Sequence, residues 1–179
     1  MKLFLIGFMG SGKSTVGKQI ANLLNIDFYD LDELIEDKFK MSISLFFQKF
    51  DEKTFRDAES NALTEILKND NFVLSCGGGT PCFNNNMKLI NNNGISIYLK
   101  MNASSLAYRL EKSRKKRPLL QKFTGENLRN RIEQLLSERE PYYNQAQYVV
   151  NGLNVDIKWF GNINAIAFRS KKQLCYVYV

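Results

Sequence analysis

Gly7-Phe8-Met9-Gly10-Ser11-Gly12-Lys13-Ser14 fills the pattern G-x-x-x-x-G-K-[ST], and its neighbours on both sides fit a strand, loop and helix in that order. Before it, Leu3-Phe4-Leu5-Ile6 is a continuous apolar run, as expected of a parallel strand buried on both faces. After it, Val16, Ile20, Leu23 and Leu24 recur at helical spacing. The physics of such a loop is anion binding. Glycines let the backbone curl until several N–H groups face one centre, and the first helical turn adds unpaired N–H groups and the positive end of its dipole. The motif predicts that Gly10, Ser11, Gly12 and Thr15 wrap phosphates, that Lys13 reaches the β- and γ-phosphates, and that the Ser14 hydroxyl ligates Mg2+. A glycine turn before a helix with a solvated lysine is the plain alternative, and the flanking strand and helix weigh against it.

Composition bounds the rest. A chain of 179 residues suits one domain spanning 1–179, and a domain near this size hides roughly 70% of its unfolded surface. Hydrophobic residues at 44% and charged residues at 24% match an ordinary soluble globule. No apolar run approaches the ~18 residues of a membrane span, and the opening run is too short for a secretory signal before Gly7 interrupts it. A cytoplasmic protein without a membrane partner is therefore expected. The formal charge of +7 suits polyanionic ligands, but much of the surplus sits in Lys112, Arg114, Lys115, Lys116, Arg117 and Lys122. No aromatics interleave with that run and no nucleic-acid motif accompanies it, so it reads against a nucleic-acid partner. Histidine is absent, which leaves a carboxylate as any general base. Cys76, Cys82 and Cys175 show no C-x-x-C spacing and read as reduced thiols, with Cys76 a small buried filler at a strand end.

Further along, Ile26-Asp27-Phe28-Tyr29 predicts a second strand, followed by Asp30-Leu31-Asp32. Ligands of an open parallel sheet bind at the carboxyl ends of its strands. Alternation along an extended segment then sets Asp30 and Asp32 on one face towards that crevice; the competing role is an N-cap for the next helix. A helix is expected over about 51–68, with Arg56 and Glu59 on neighbouring turns, where a solvated ion pair is the ordinary reading. Phe72-Val73-Leu74-Ser75 is a third strand ending in Cys76-Gly77-Gly78-Gly79, whose bare N–H groups allow close approach of a ligand. The asparagine-rich stretch 84–93 reads as a short surface helix with loose ends. Ile95-Ser96-Ile97-Tyr98-Leu99 and Tyr148-Val149-Val150 complete five strands. Between them the basic run and Arg117-Pro118-Leu119-Leu120 read as a mobile lid over about 112–125, followed by a helix over 126–143. The fold expected is α/β, a three-layer P-loop NTPase fold with a five-stranded parallel sheet flanked by helices. The tail after about 152, ending in an apolar stretch, has no assigned structure.

Taken in order, the P-loop, Asp30-x-Asp32, Phe55-Arg56-x-x-Glu59, Gly77-Gly78-Gly79, Arg117-Pro118-Leu119-Leu120 and Arg139-x-x-Tyr142 resemble the shikimate kinase family across roughly residues 1–151. The resemblance implies MgATP-dependent phosphorylation of the 3-hydroxyl of shikimate by a monomer. It implies that Lys13 and Ser14 serve phosphates and Mg2+, with Asp30 near the metal through water. Asp32 would bind the substrate hydroxyls as base or orienting group, and Arg56 and Arg139 would grip the substrate carboxylate. Gly78 and Gly79 would offer backbone N–H groups, Glu59 would orient Arg56, and Arg117 would meet the transferring phosphoryl group. Arg109, or by spacing Arg114, corresponds to the arginine stacked on adenine. Arginine suits a carboxylate because its planar fork pairs bidentately. One departure is Asp51-Glu52 where the family has Gly-Glu, and the adenine loop is poorly matched after Asn151. A gluconate-type kinase and a nucleotide-dependent binding module are the competing functions.

Overall fold

The computed structural model describes residues 1–113, 120 and 122–163, together with the backbone of 175–177. The five expected strands are present as β1 (Lys2–Ile6), β2 (Asp27–Asp30), β3 (Phe72–Ser75), β4 (Ile95–Lys100) and β5 (Tyr148–Asn151), and a sixth, β6 (Cys175–Val177), joins them. All pair in parallel in the order β2-β3-β1-β4-β5-β6. Parallel neighbours need a crossover between them. The crossovers carry α1 (Lys13–Leu24), α2 (Leu31–Phe39), α3 (Ile43–Lys49), α4 (Glu52–Ile66), α5 (Asn86–Asn93), α6 (Ala103–Glu111) and α7 (Gly125–Tyr143).

Period-two alternation along β1 explains the layers. Phe4 and Ile6 enter one core with Leu31, Leu63, Ile90 and Ile132, while Leu3 and Leu5 enter the other with Val16, Ile20, Phe160 and Ile163. Both faces are covered, so the strand reads as uninterrupted apolar sequence. Helix α1 sits close to the sheet: a Cβ built at Gly17 would lie 2.5 Å from Phe28 Cε2 and 3.2 Å from Leu5 Cδ1. Gly17→Ala is accordingly expected to lower stability by roughly 1–3 kcal/mol in urea unfolding, overpacking outweighing alanine's better helix propensity. A gain in stability would contradict this seating of α1.

Strand order places the site. Because β3 lies between β2 and β1, the carboxyl ends of these three strands set Asp30, the glycine turn and the P-loop side by side. The Asp51 departure has a local reason: Asp51 is the N-cap of α4, its side chain accepting from Thr54 N at 2.8 Å, a role glycine fills without a side chain. Residues Ile157–Asn162 form a 3₁₀ turn that buries Phe160, and the apolar tail contributes β6 along the edge of β5. Of the expected lid, residues 114–119 and 121 lie outside the described residues, Arg114 and Arg117 among them. Leu120 is buried and α7 begins at Gly125. Among the described residues no helix is long and apolar enough to cross a membrane.

Candidate functional site

The P-loop curls through Gly10 at φ 84° and Gly12 at φ 94°, left-handed positions that L side chains rarely adopt. Lys13 is buried and folds back over the loop, Nζ donating to the carbonyls of Gly7 and Phe8 at 2.9 Å each. Ser11 is buried, whereas Ser14 and Thr15 at the start of α1 are exposed to the crevice side. Ser14 Oγ donates to Asp30 Oδ2 at 2.5 Å and lies 3.3 Å from Ser75 Oγ. Hydroxyl and carboxylate oxygens together suit a hard cation such as Mg2+ that keeps much of its water and takes phosphate oxygens. Among the described residues no cluster of three or more His, Cys, Asp or Glu forms a protein cage for a metal. Arg109, from α6, reaches the same loop with Nη1 3.4 Å from Ser11 O.

Asp30 and Asp32 meet the crevice by a different route from the expected alternation. Strand β2 stops at Asp30, and Asp32 stands in the first turn of α2. Asp30 caps that helix, Oδ1 accepting from Asp32 N at 3.1 Å while Oδ2 faces Ser14. The cap and the site therefore share one carboxylate. The turn swings Asp32 into the neighbouring cleft, which it lines together with Arg139 and the glycine turn.

That cleft is built on α4. Arg56 and Glu59 are 5% and 1% exposed, so their pairing at 2.5 Å through Nη1 and Oε2 is a buried contact rather than a solvated one. Glu52 adds a second partner, its Oε1 accepting from Arg56 Nη2 at 2.8 Å and Nε at 3.2 Å. Burial works against the Arg56 charge, yet Glu59 and Glu52 hold the guanidinium above its ordinary pKa. Burial pushes Glu59 up, opposed by Arg56 and by a hydrogen bond from Thr80.

The glycine turn passes close over these groups. A Cβ at Gly79 would lie 2.5 Å from Arg56 Nη1, one at Gly77 2.5 Å from Glu59 Oε1, and one at Gly78 3.2 Å from Met9 N. Across the cleft Arg139 of α7 is buried over the Phe8 ring, 5.4 Å from its centroid. Its Nη1 has no hydrogen-bond partner among the described residues. A buried guanidinium N–H without a partner, on a side chain that lines a cleft, is a strong invitation to an anion. Ile43, Phe47 and Phe55 supply an apolar wall.

The structure thus brings Lys13, Ser14, Asp30 and Arg109 together at the loop, and Asp32, Arg56, Gly78, Gly79 and Arg139 in the adjoining cleft. Glu52, Thr80 and Tyr143 were not singled out by motif. Tyr143 is fully buried and its hydroxyl donates to Gly78 O, whereas Tyr142 of the sequence pattern is 39% exposed. Glu52 was legible as an i,i+4 partner of Arg56; Thr80 and Tyr143 act across long sequence separations. Cys76 is buried and its thiol pushed well up by desolvation, as a filler's would be. Asn86 is buried too, against the expected loose surface helix.

A sequence model described as shikimate kinase matches residues 9–158. A shikimate kinase of Bacteroides thetaiotaomicron is 39% identical over 159 residues, covering 89% of this chain and 91% of that protein. The crystal structure of shikimate kinase from Bacteroides thetaiotaomicron superposes with a TM-score of 0.86 at 36% identity, covering 94% of this chain and 98% of the other. That of shikimate kinase from Acinetobacter baumannii in complex with shikimate gives 0.82 at 32% identity, covering 96% and 95%.

Proposed function

This chain belongs to the shikimate kinase family, and from that premise we propose how its residues divide the work of the reaction. The enzyme phosphorylates shikimate with ATP in the shikimate pathway of aromatic amino-acid biosynthesis. The observation that carries the assignment is the adjacency of the P-loop to a cleft in which a buried, unpartnered Arg139 Nη1 stands with Arg56 and Asp32.

Arg139 and Arg56 take the shikimate carboxylate. Arg56 is already fixed by two glutamates, so it presents its remaining N–H groups without reorganising. The bare amides of Gly78 and Gly79 meet the ring hydroxyls. The 3-hydroxyl faces Asp32, which orients it and accepts its proton as the oxygen bonds to the γ-phosphorus and the bond to ADP breaks. Lys13 exchanges its two carbonyl partners for β- and γ-phosphate oxygens. Ser14 and Asp30 would hold Mg2+, which when bound would neutralise charge on the phosphates. Arg109 lies against the nucleotide, and Arg117, which is outside the described residues, is the residue we assign to the transferring phosphoryl group. The enzyme works as a cytoplasmic monomer, with residues 1–179 acting together as a kinase domain.

ADP release from MgATP tests this, with shikimate, with gluconate and with no acceptor. Shikimate-dependent release is expected; release with gluconate alone, or without an acceptor, would move the carboxylate site elsewhere. Asp32→Asn is expected to lower kcat by about 10²–10⁴-fold while leaving ATP affinity nearly unchanged. Equal losses in both would reassign Asp32 to the metal.

A further inference from the structure

Thr80 has no part in the roles above, yet it is fully buried beside them. Its Oγ1 donates to Glu59 Oε1 at 2.7 Å, while the other oxygen of that carboxylate takes Arg56 Nη1 at 2.5 Å. Thr80 is itself anchored. Asn86 Nδ2 donates to Thr80 O at 3.0 Å and to Ser60 Oγ at 3.1 Å, and Ser60 Oγ donates to Arg56 O at 2.9 Å. The bonds close a ring that ties the end of the glycine turn to the helix bearing Arg56.

We propose that Thr80 is a positioning residue for shikimate, pinning the Glu59 carboxylate and through it the Arg56 guanidinium. The proposal rests on the assignment of Arg56 to the substrate carboxylate. Arg56 engages one oxygen of Glu59; without a donor on the second, the carboxylate is free to turn. The second oxygen is packed against bare backbone, since a Cβ at Gly77 would lie 2.5 Å from Glu59 Oε1 and 2.8 Å from Thr80 Oγ1. Loss of the hydroxyl therefore leaves a buried acceptor with no replacement from solvent.

The charged and titratable groups facing Glu59 are Arg56 on α4, Asp32 on α2, and Cys76 and Cys82 flanking the glycine turn. Arg139 on α7 lines the same cleft. Burial and Asp32 favour protonation of Glu59; Arg56 and Thr80 oppose it. A hydrogen bond to the charged form lowers a carboxyl pKa, so its removal lets Glu59 take up a proton at higher pH and release Arg56.

Steady-state kinetics of wild type, Thr80→Val, Thr80→Ser and Arg56→Ala, with each substrate varied across the acid limb, test the idea. Thr80→Val is expected to raise the KM for shikimate about tenfold, leave kcat and the KM for ATP within about twofold, and move the acid limb of kcat/KM to higher pH. Thr80→Ser is expected to restore all of these. If valine does not fold, Thr80→Ala carries the same expectations. An unchanged shikimate KM and acid limb in Thr80→Val, with a raised KM in Arg56→Ala, would overturn the proposal and leave the carboxylate site intact. Equal rises in both KM values would overturn it as well, by showing a general loosening. An unchanged KM in Arg56→Ala would instead remove the carboxylate site itself.

Discussion

Lys13→Ala is expected to abolish measurable turnover, a loss on the order of a thousandfold or more, in a protein that remains folded. The magnitude follows from the chemistry: phosphoryl transfer is catalysed almost wholly by positioning and charge neutralisation, and one preorganised donor contributes about 10²–10³ in rate. Lys13 is also the buried cation of the P-loop, held over it by the carbonyls of Gly7 and Phe8. Both contacts are buried, so the substitution leaves those carbonyls short of a donor; a modest fall in melting temperature is expected, while circular dichroism stays that of a folded protein. Retained turnover would remove the P-loop assignment.

The second large effect concerns Arg139→Met. Truncating one partner of a buried charge pair costs about 2–5 kcal/mol, so the KM for shikimate is expected to rise by roughly 30- to 5000-fold. The free protein should respond in the opposite sense. Without substrate, Arg139 keeps a buried guanidinium whose Nη1 lacks a partner among the described residues, and an apolar side chain of similar length removes that desolvation penalty. The melting temperature without shikimate is expected to be equal to or above wild type, and the protection that shikimate gives wild type against heat should vanish. An unchanged KM would place the carboxylate site elsewhere; a large fall in melting temperature would make Arg139 a structural residue.

How much was legible in the sequence depended on the range of the interaction. Glycines at fixed offsets and uninterrupted apolar runs are local signals, and they located the P-loop, five strands and the glycine turn. Asp32 reaches the site by a route that strand alternation does not describe. The alternation of a strand does not say where the strand ends, and here it ends two residues earlier, at the cap Asp30. Thr80 meets Glu59 across 21 positions and Tyr143 meets Gly78 across 65, distances at which no periodicity reports. The tail carries no readable period because a strand of three residues such as β6 is too short to show one and is defined by its pairing along the edge of β5.

The glycine turn limits how this enzyme can change. Each of its three positions is crowded by a different neighbour: a Cβ would lie 2.5 Å from Glu59 at Gly77, 2.5 Å from Arg56 at Gly79 and 3.2 Å from the backbone of Met9 at Gly78. With the ring hydroxyls of shikimate against the turn, as proposed, that side of the substrate is met by peptide groups, which are chemically alike in every protein and cannot be exchanged by mutation. Drift in acceptor preference is then confined to Asp32, Arg56, Arg139 and the apolar wall of Ile43, Phe47 and Phe55. Descendants with new acceptors would inherit the turn unaltered and differ in those side chains.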